Sequence, residues 1–456
     1  MADTEPAQPT SLPDLPADVL LHIADLLQIP DVCALRLSCT VISDALAPLR
    51  RRFFGEFGVL ATPAGLGALL AIASDPLVAP YVKYITVNTA SVFDTAPHKP
   101  TLYEQLALLE LDGLDATINV MRVSTTGVRR HPSAPFLRPG ALLPTLLGRA
   151  FAHLPKLGEV TTGYWNPRAN DDNPPPDARM TLGLGHILRQ QCGLGQGGEN
   201  VETRVFWGLV FGLAGACAAR KEAGFEQVKI LPSTLYGVHL ASFAAAMRHA
   251  TYLAPAVREL EVLRLYVRRR DGAEEDLERE LGGLAGFLGL AVSLDWLYLQ
   301  GGDGLRVLQC LLRDGALALP KLKKLDLYYH ETTTDVMFDI LTNTHLTWVR
   351  LHGITLHWVE GKVPRREGSF WAALLLAVSA HHDAQGTRSA VTSFAMKCVQ
   401  ESREGRVEKV RFARSVPDDF RVFVQRNNPL PDLDMVQRVD SGEDIFRRAA
   451  EEIGNQ

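Results

Sequence analysis

An apolar residue, two spacers, a second apolar residue, one spacer and a third apolar residue form a pattern that recurs along most of the chain. Clear copies are Leu260-Leu263-Leu265, Leu294-Leu297-Leu299, Leu322-Leu325-Leu327 and Leu346-Val349-Leu351. Weaker copies are Val82-Ile85-Val87, Phe225-Val228-Ile230 and Val391-Phe394-Met396, with Leu157-Val160-Thr162 the poorest. From Phe225 onward the copies start 35, 34, 28 and 24 residues apart. The second half of each copy alternates apolar and polar, the period of a half-buried strand. Helical spacing falls between the copies, at 241–250, 276–291, 305–312, 334–341 and 369–379. This alternation predicts an α/β array of parallel strands with right-handed crossovers. Stacked repeats then share one core, because no single repeat can bury its own leucines.

The first fifty or so residues follow a different period. Pro16 suits a first helical turn, and Asp18 places a carboxylate at the positive helix end. Val19, Leu20, Ile23, Leu26 and Leu27 make one apolar stripe; Val32, Leu35 and Cys39 make a second; Val41, Ile42, Leu46, Leu49 and Phe53 make a third. Three helices this short cannot bury three stripes among themselves. Some of that surface is expected to face a partner.

These residues carry a resemblance. Leu15-Pro16-x-Asp18-Val19-Leu20-x-x-Ile23-x-x-x-Leu27, followed by Asp31-Val32-x-x-Leu35-Arg36-x-x-Cys39, resembles the F-box. Asp18 stands where that family usually has Glu, and Ser38-Cys39 where it has Val-Cys. The resemblance covers about a tenth of the chain. It implies a three-helix module in which Leu15, Pro16, Leu20, Ile23, Leu27, Val32 and Leu35 dock on Skp1, and through it on a cullin ubiquitin ligase. The bland alternative is a helical cap that serves only the repeats.

The repeats themselves resemble divergent leucine-rich repeats of the kind found behind F-boxes. They depart from that family in spacing, and in lacking the usual Asn or Cys after the strand: Tyr328-Tyr329-His330 and His352-Gly353-Ile354 stand there instead. The expected organisation is a disordered start at 1–11, an F-box at 12–56, and a leucine-rich-repeat-like solenoid at 57–400. A Pro- and Asp-rich loop is expected at 166–179, and a capping segment and tail at 401–456.

Strand side chains alternate, so residues between the core leucines face outward. Those positions include Arg264, Tyr266, Trp296, Tyr298, Tyr328, Trp348, Arg350 and His352, with Lys324 and Asp326 among them. Trp, Tyr and Arg dominate interface hot spots, so this face is the expected capture site for a protein substrate. The bland reading is that the C-terminal segment or an insertion loop covers the aromatics.

Composition narrows the field. The 47 Lys+Arg stand against 52 Asp+Glu, a net charge of −5 that disfavours nucleic acid as a partner. Six cysteines form no C-x-x-C pair, which fits a reducing cytoplasmic or nuclear compartment. The Pro-rich start does not read as a signal peptide. The most apolar run, 205–219, is too short to cross a membrane and is expected to be a buried helix.

Candidate chemistry is sparse. Gly193, Gly195 and Gly198 match G-x-G-x-x-G, but the stretch before them reads as helix where a dinucleotide site needs a strand, so a flexible loop is expected. His345, His352 and His357, and the run His381-His382-Asp383, do not converge as metal ligands. No catalytic nucleophile stands out. The expectation is an adaptor that tethers rather than an enzyme, with no cofactor and no metal. The runner-up is a repeat scaffold that engages no ligase; a nucleotide-dependent enzyme using 193–198 is remote.

Overall fold

The computed structural model describes residues 11–27, 32, 35, 38–49, 54–61, 63–88, 91–93, 142–163, 181–182, 193–195, 199–232, 237–268, 277–301, 319–342, 345–363, 369–385, 391, 393–397, 399–403, 406–409, 435–438, 447, 450 and 453. Residues 1–10 of the expected disordered start at 1–11, the helix at 305–312 and the loop at 166–179 lie outside the described residues.

Ten parallel strands form the body of the molecule. They are β1 (Glu56–Leu60), β2 (Tyr84–Asn88), β3 (Glu159–Gly163), β4 (Thr181–Leu182), β5 (Ile230–Pro232), β6 (Val262–Arg268), β7 (Trp296–Gln300), β8 (Lys324–Tyr328), β9 (Trp348–His352) and β10 (Ser393–Lys397). Their order in the sheet is β4-β1-β2-β3-β5-β6-β7-β8-β9-β10, which is chain order except for β4. Met435–Arg438 adds antiparallel to β10. The expected α/β class is present, as a mixed α/β fold with a large parallel sheet.

Register is in step across the repeats. Leu263, Leu297, Leu325, Val349 and Phe394 form one row, and Leu265, Leu299, Leu327, Leu351 and Met396 a second. Both rows are buried. Phe57, Ile85 and Val160 extend the first row, and Val59, Val87 and Thr162 the second. Below the strands a backbone ladder steps from repeat to repeat: Lys229 N–H donates to Gly158, Glu261 to Lys229, Asp295 to Glu261, Lys323 to Asp295 and Thr347 to Lys323. The short loops before each strand therefore leave none of these amides unpaired.

Helices cover the inner rows. They are α3 (Pro63–Ser74), α4 (Leu142–Ala152), α5 (Glu199–Glu222), α6 (Leu240–Ala246), α7 (Ala250–Val257), α8 (Leu277–Leu290), α9 (Thr334–Leu341) and α10 (Phe370–Ala384), numbered after α1 (Ala17–Leu26) and α2 (Thr40–Ala45) of the N-terminal module. The apolar run at 205–219 lies inside α5, where Phe206, Trp207, Phe211 and their neighbours are buried. The Trp207 ring packs edge-on to Phe206, Phe243 and Phe287, and its Nε1 donates to Ser242 Oγ at 2.7 Å. α4 and α5 meet at Gly148 and Gly212, where a Cβ on Gly148 would lie 3.1 Å from the Gly212 carbonyl. No helix among the described residues is long and apolar enough to cross a membrane.

Several expectations need correction. The sheet begins at Glu56, inside the expected F-box segment, because Phe54-x-x-Phe57-x-Val59 is itself a copy of the repeat; Phe54 packs against both the module core and the sheet core. Around β5 the frame is Val228-x-x-Leu231 rather than Phe225-Val228-Ile230: Leu231 aligns with Leu263, so Ile230 and Pro232 take the outward rows. In the stretch expected to be helical before the glycine motif, Thr181–Leu182 is strand β4 on the free side of β1. Gly193–Gly195 is not a loop but a short strand, antiparallel to Ser91–Phe93 and outside the main sheet. A helix does follow at Glu199. Among the described residues Gly193–Gly195 is thus itself strand, rather than the turn between a parallel strand and a helix that a dinucleotide site uses.

The missing Asn also finds an explanation. Gly301, Tyr329 and Gly353 follow β7, β8 and β9 directly, and all three take left-handed backbone, with φ of 122°, 56° and 64°. After this corner the chain enters a second sheet of Glu331–Thr333, Thr355–His357 and Gln400–Arg403, parallel to one another, with Arg406–Lys409 as a hairpin partner. The buried His330 ring donates from Nε2 to the Leu299 carbonyl at 3.0 Å. This ties the corner after β8 to the backbone of β7.

Candidate recognition sites

The N-terminal module closes a small core of its own. Leu20, Ala24, Val32, Ile42 and Leu46 are buried in it, with Leu15, Leu21, Leu27, Leu35, Cys39 and Leu49 packed around them. Of the seven residues expected to dock Skp1, Leu20 and Val32 thus face the chain's own interior and are unavailable to a partner. Leu15, Ile23, Leu27 and Leu35 are half-buried, and Pro16 is exposed. Among the described residues of the module, the large apolar groups left outside are Leu12, Val19, Leu26 and Val41, with Leu26 75% and Val41 55% exposed. Helical parity alone did not separate these two sets, because both lie within the same broad stripe.

The outward sheet face is the second site, and its centre is a carboxylate. Three residues share one register row with Asp326: Arg264 on β6, Tyr298 on β7 and Arg350 on β9. Trp296 and Trp348 flank Lys324 in the row below. Asp326 is 1% exposed. Trp296 Nε1 donates to its Oδ2 at 3.3 Å, Trp348 Nε1 donates to its Oδ1 at 3.2 Å, and Arg350 Nη1 lies 3.7 Å from Oδ2. Burial raises the carboxyl's pKa, while Arg350 and the two indoles oppose that shift. Both oxygens accept, which is the arrangement of the ionised form.

Around this carboxylate the aromatic groups lock together. Tyr298 and Tyr328 stack with centroids 4.5 Å apart, and Tyr328 lies 5.0 Å from the His352 ring. Arg350 also donates to the Tyr328 hydroxyl at 3.4 Å. Arg264 lies over the Trp296 ring at 5.1 Å and Arg350 over Trp348 at 5.4 Å. Arg268 donates from Nε to the Tyr266 hydroxyl at 2.9 Å. Burial raises the pKa of the Tyr298 and Tyr328 phenols, so both remain neutral donors.

The structure brings together all eight residues expected to form the capture face, but not as an open row. Tyr328 points outward by parity and is nevertheless buried beneath its neighbours. Arg264, Tyr266, Trp296, Tyr298, Trp348, Arg350 and His352 are half-buried. Tyr329, absent from that set because it sits on the left-handed corner outside the strand, is the most exposed aromatic of this region, at 57%. The signal for it was the Tyr-Tyr-His run standing where Asn was expected.

Charge on the outward face reverses along the sheet. On β1–β3 the first register row holds Glu56, Tyr84 and Glu159, which line a cavity of about 180 Å³ with Thr86 and Thr161. On β6–β9 the face carries Arg264, Arg268, Lys324 and Arg350 around the single Asp326. Burial raises the Glu159 pKa, with Arg264 opposing and Glu56 reinforcing the shift.

No three His, Cys, Asp or Glu side chains among the described residues are grouped to hold a metal. His381 packs on Phe338, and His382 is buried in α10. No family model matches the chain, and no curated protein is significantly similar to it.

Proposed function

We propose that the chain is the substrate-recognition adaptor of a Skp1–cullin–F-box E3 ubiquitin ligase. Its N-terminal helices hold Skp1, and the outward face of the sheet holds the protein to be modified. Chemistry belongs to other subunits; the adaptor raises the effective concentration of substrate lysines near the conjugating enzyme.

One observation carries this reading. The N-terminal module completes a core of its own and still leaves Leu12, Val19, Leu26 and Val41 in solvent. An isolated cap would have no use for that surface, whereas a docking helix requires it. The aromatic and basic side chains of β6–β9 supply a second surface of hot-spot composition. A repeat scaffold that engages no ligase is the second reading, and the same recognition face supports it.

Co-purification with Skp1 separates the two. The parent chain should capture Skp1, and Leu26→Asp combined with Val41→Asp should abolish capture while thermal melting of the sheet domain is unchanged. Leu20→Asp should also abolish it, but by unfolding the module, since Leu20 is buried. No capture by the parent, or undiminished capture by the double variant, rejects the adaptor.

A further inference from the structure

We infer that the outward face of β6–β9 takes an acidic peptide segment of a partner protein, laid across the strands, with carboxylates at Arg264 and Arg350 and an apolar side chain against Trp296 and Trp348. The inference deepens the capture-face reading and rests on it.

Charge complementarity carries the argument. Four cations surround one carboxylate on these strands, and that carboxylate is enclosed and already committed to two indoles and Arg350. Lys324 has a partner in Asp295 at 3.8 Å. Arg264 differs from the others. Among the described residues it has no hydrogen bond and no ion pair; it lies over the Trp296 ring, feels the charges of Glu159 and Asp326 only at longer range, and its Nε, like that of Arg350, is buried with no acceptor. A guanidinium held flat on an indole is pre-ordered, so a carboxylate reaching it costs little side-chain entropy.

The same geometry limits the ligand. Strands about 4.8 Å apart put β6 and β9 about 14 Å apart, the span of about five extended residues. Beyond β6 and the short β5 lies Glu159, with Glu56 two strands further on, and these repel an acidic chain. The ligand is therefore confined to the basic half and given a direction. Those glutamates also disfavour a nucleic acid strand, whose phosphates would meet them, as does the net charge of −5.

Fluorescence anisotropy with the full chain tests this. The probes are a labelled peptide of about ten residues alternating Glu with Leu, its Lys-for-Glu counterpart, and a single-stranded oligonucleotide of similar length. The acidic peptide should bind about tenfold tighter than the basic one, and the preference should shrink with rising salt. Arg264→Ala should remove about tenfold of that affinity, Arg264→Lys should recover only part of the loss because an ammonium cannot stack on the indole, and Lys83→Ala, outside this face, should change nothing. Equal binding of the two peptides, tighter binding of the oligonucleotide, or an unaffected Arg264→Ala chain overturns the inference. The Skp1 test reads a different part of the molecule. Lost peptide preference with intact Skp1 capture removes only the acidic ligand. Lost Skp1 capture with intact preference removes the ligase and leaves the recognition face.

Discussion

Arg220 of α5 donates through Nη1 to the backbone carbonyl of Phe151, in the last turn of α4, at 2.6 Å. The same nitrogen reaches Leu154 O at 2.6 Å, and Nη2 reaches Leu157 O at 3.0 Å and the carbonyl of Glu226. A buried cation without a hydrogen-bonded carboxylate is unusual, and here the end of α4 takes the carboxylate's place. The Phe151 carbonyl and the negative pole of the helix dipole face the guanidinium. Burial lowers the Arg220 pKa to about 10, which leaves it charged at neutral pH.

Replacing Arg220 with Met should cost about 3–5 kcal/mol, since several buried carbonyls lose their donor at once. Arg220→Lys should recover only part of that, because one ammonium cannot span four acceptors. Urea denaturation with an unchanged slope measures both. A loss below about 1 kcal/mol for Arg220→Met would mean the carbonyls find other donors.

The left-handed corner offers a coupled pair. A Cβ on Gly353 would lie 2.6 Å from the Tyr329 ring, and its φ of 64° disfavours any side chain. Gly353→Ala should therefore destabilise by about 1–3 kcal/mol. In a Tyr329→Ala background the clash is gone, and the penalty should fall to the backbone cost of about 1 kcal/mol. Strictly additive effects in this cycle would refute the contact.

Asp326→Asn keeps the shape of the buried carboxylate but turns an amide toward one indole N–H and leaves Arg350 without its counter-charge. The expected loss is about 3 kcal/mol. Tryptophan fluorescence should shift along with it, because Trp296 and Trp348 lose a shared acceptor. An unchanged melting temperature would show that the carboxylate organises nothing.

Glu159 supplies a pH signature. Burial raises its folded pKa above the ordinary 4.5. The folded state thus holds the proton more tightly than the unfolded one, and this contribution is fully present below the unfolded pKa. It is lost as pH rises through the folded value. Glu159→Gln should accordingly be more stable than the parent near pH 7 and indistinguishable from it at about pH 4. A gain that persists in acid would point to packing rather than charge.

How far the sequence could be read depends on how far each residue's environment is local. Leu263, Leu297, Leu325 and Val349 sit in the expected core row because alternation along a strand determines their side. α9 occupies Thr334–Leu341, as its spacing suggests. β1 was hidden because Phe53 and Phe54 complete a helical stripe as readily as they start a repeat. β5 misled because only three residues pair, Pro232 among them, too few to fix a frame. Burial of Tyr328 and Asp326 was not legible at all. It arises from Tyr298, Trp296, Trp348 and Arg350 on neighbouring strands, and no one-dimensional pattern records what lies across a ladder. The split between buried Leu20 and exposed Leu26 has the same origin, in the way α1 and α2 close over each other.

Both ends of the main sheet are closed by pieces of chain that arrive out of turn. β4 returns from beyond β3 to lie on β1, pairing through only two residues, and Met435–Arg438 comes back antiparallel onto β10. During synthesis from the N-terminus, each rung from β1 to β3 can form as soon as its strand emerges. The outer side of β1, however, stays bare until residue 182 has been made. The far side of β10 likewise waits for residues 435–438. A ribosome-bound or truncated chain would therefore expose two sticky borders that these segments cover, and nascent copies of this protein should depend on chaperones until residue 438 has been made.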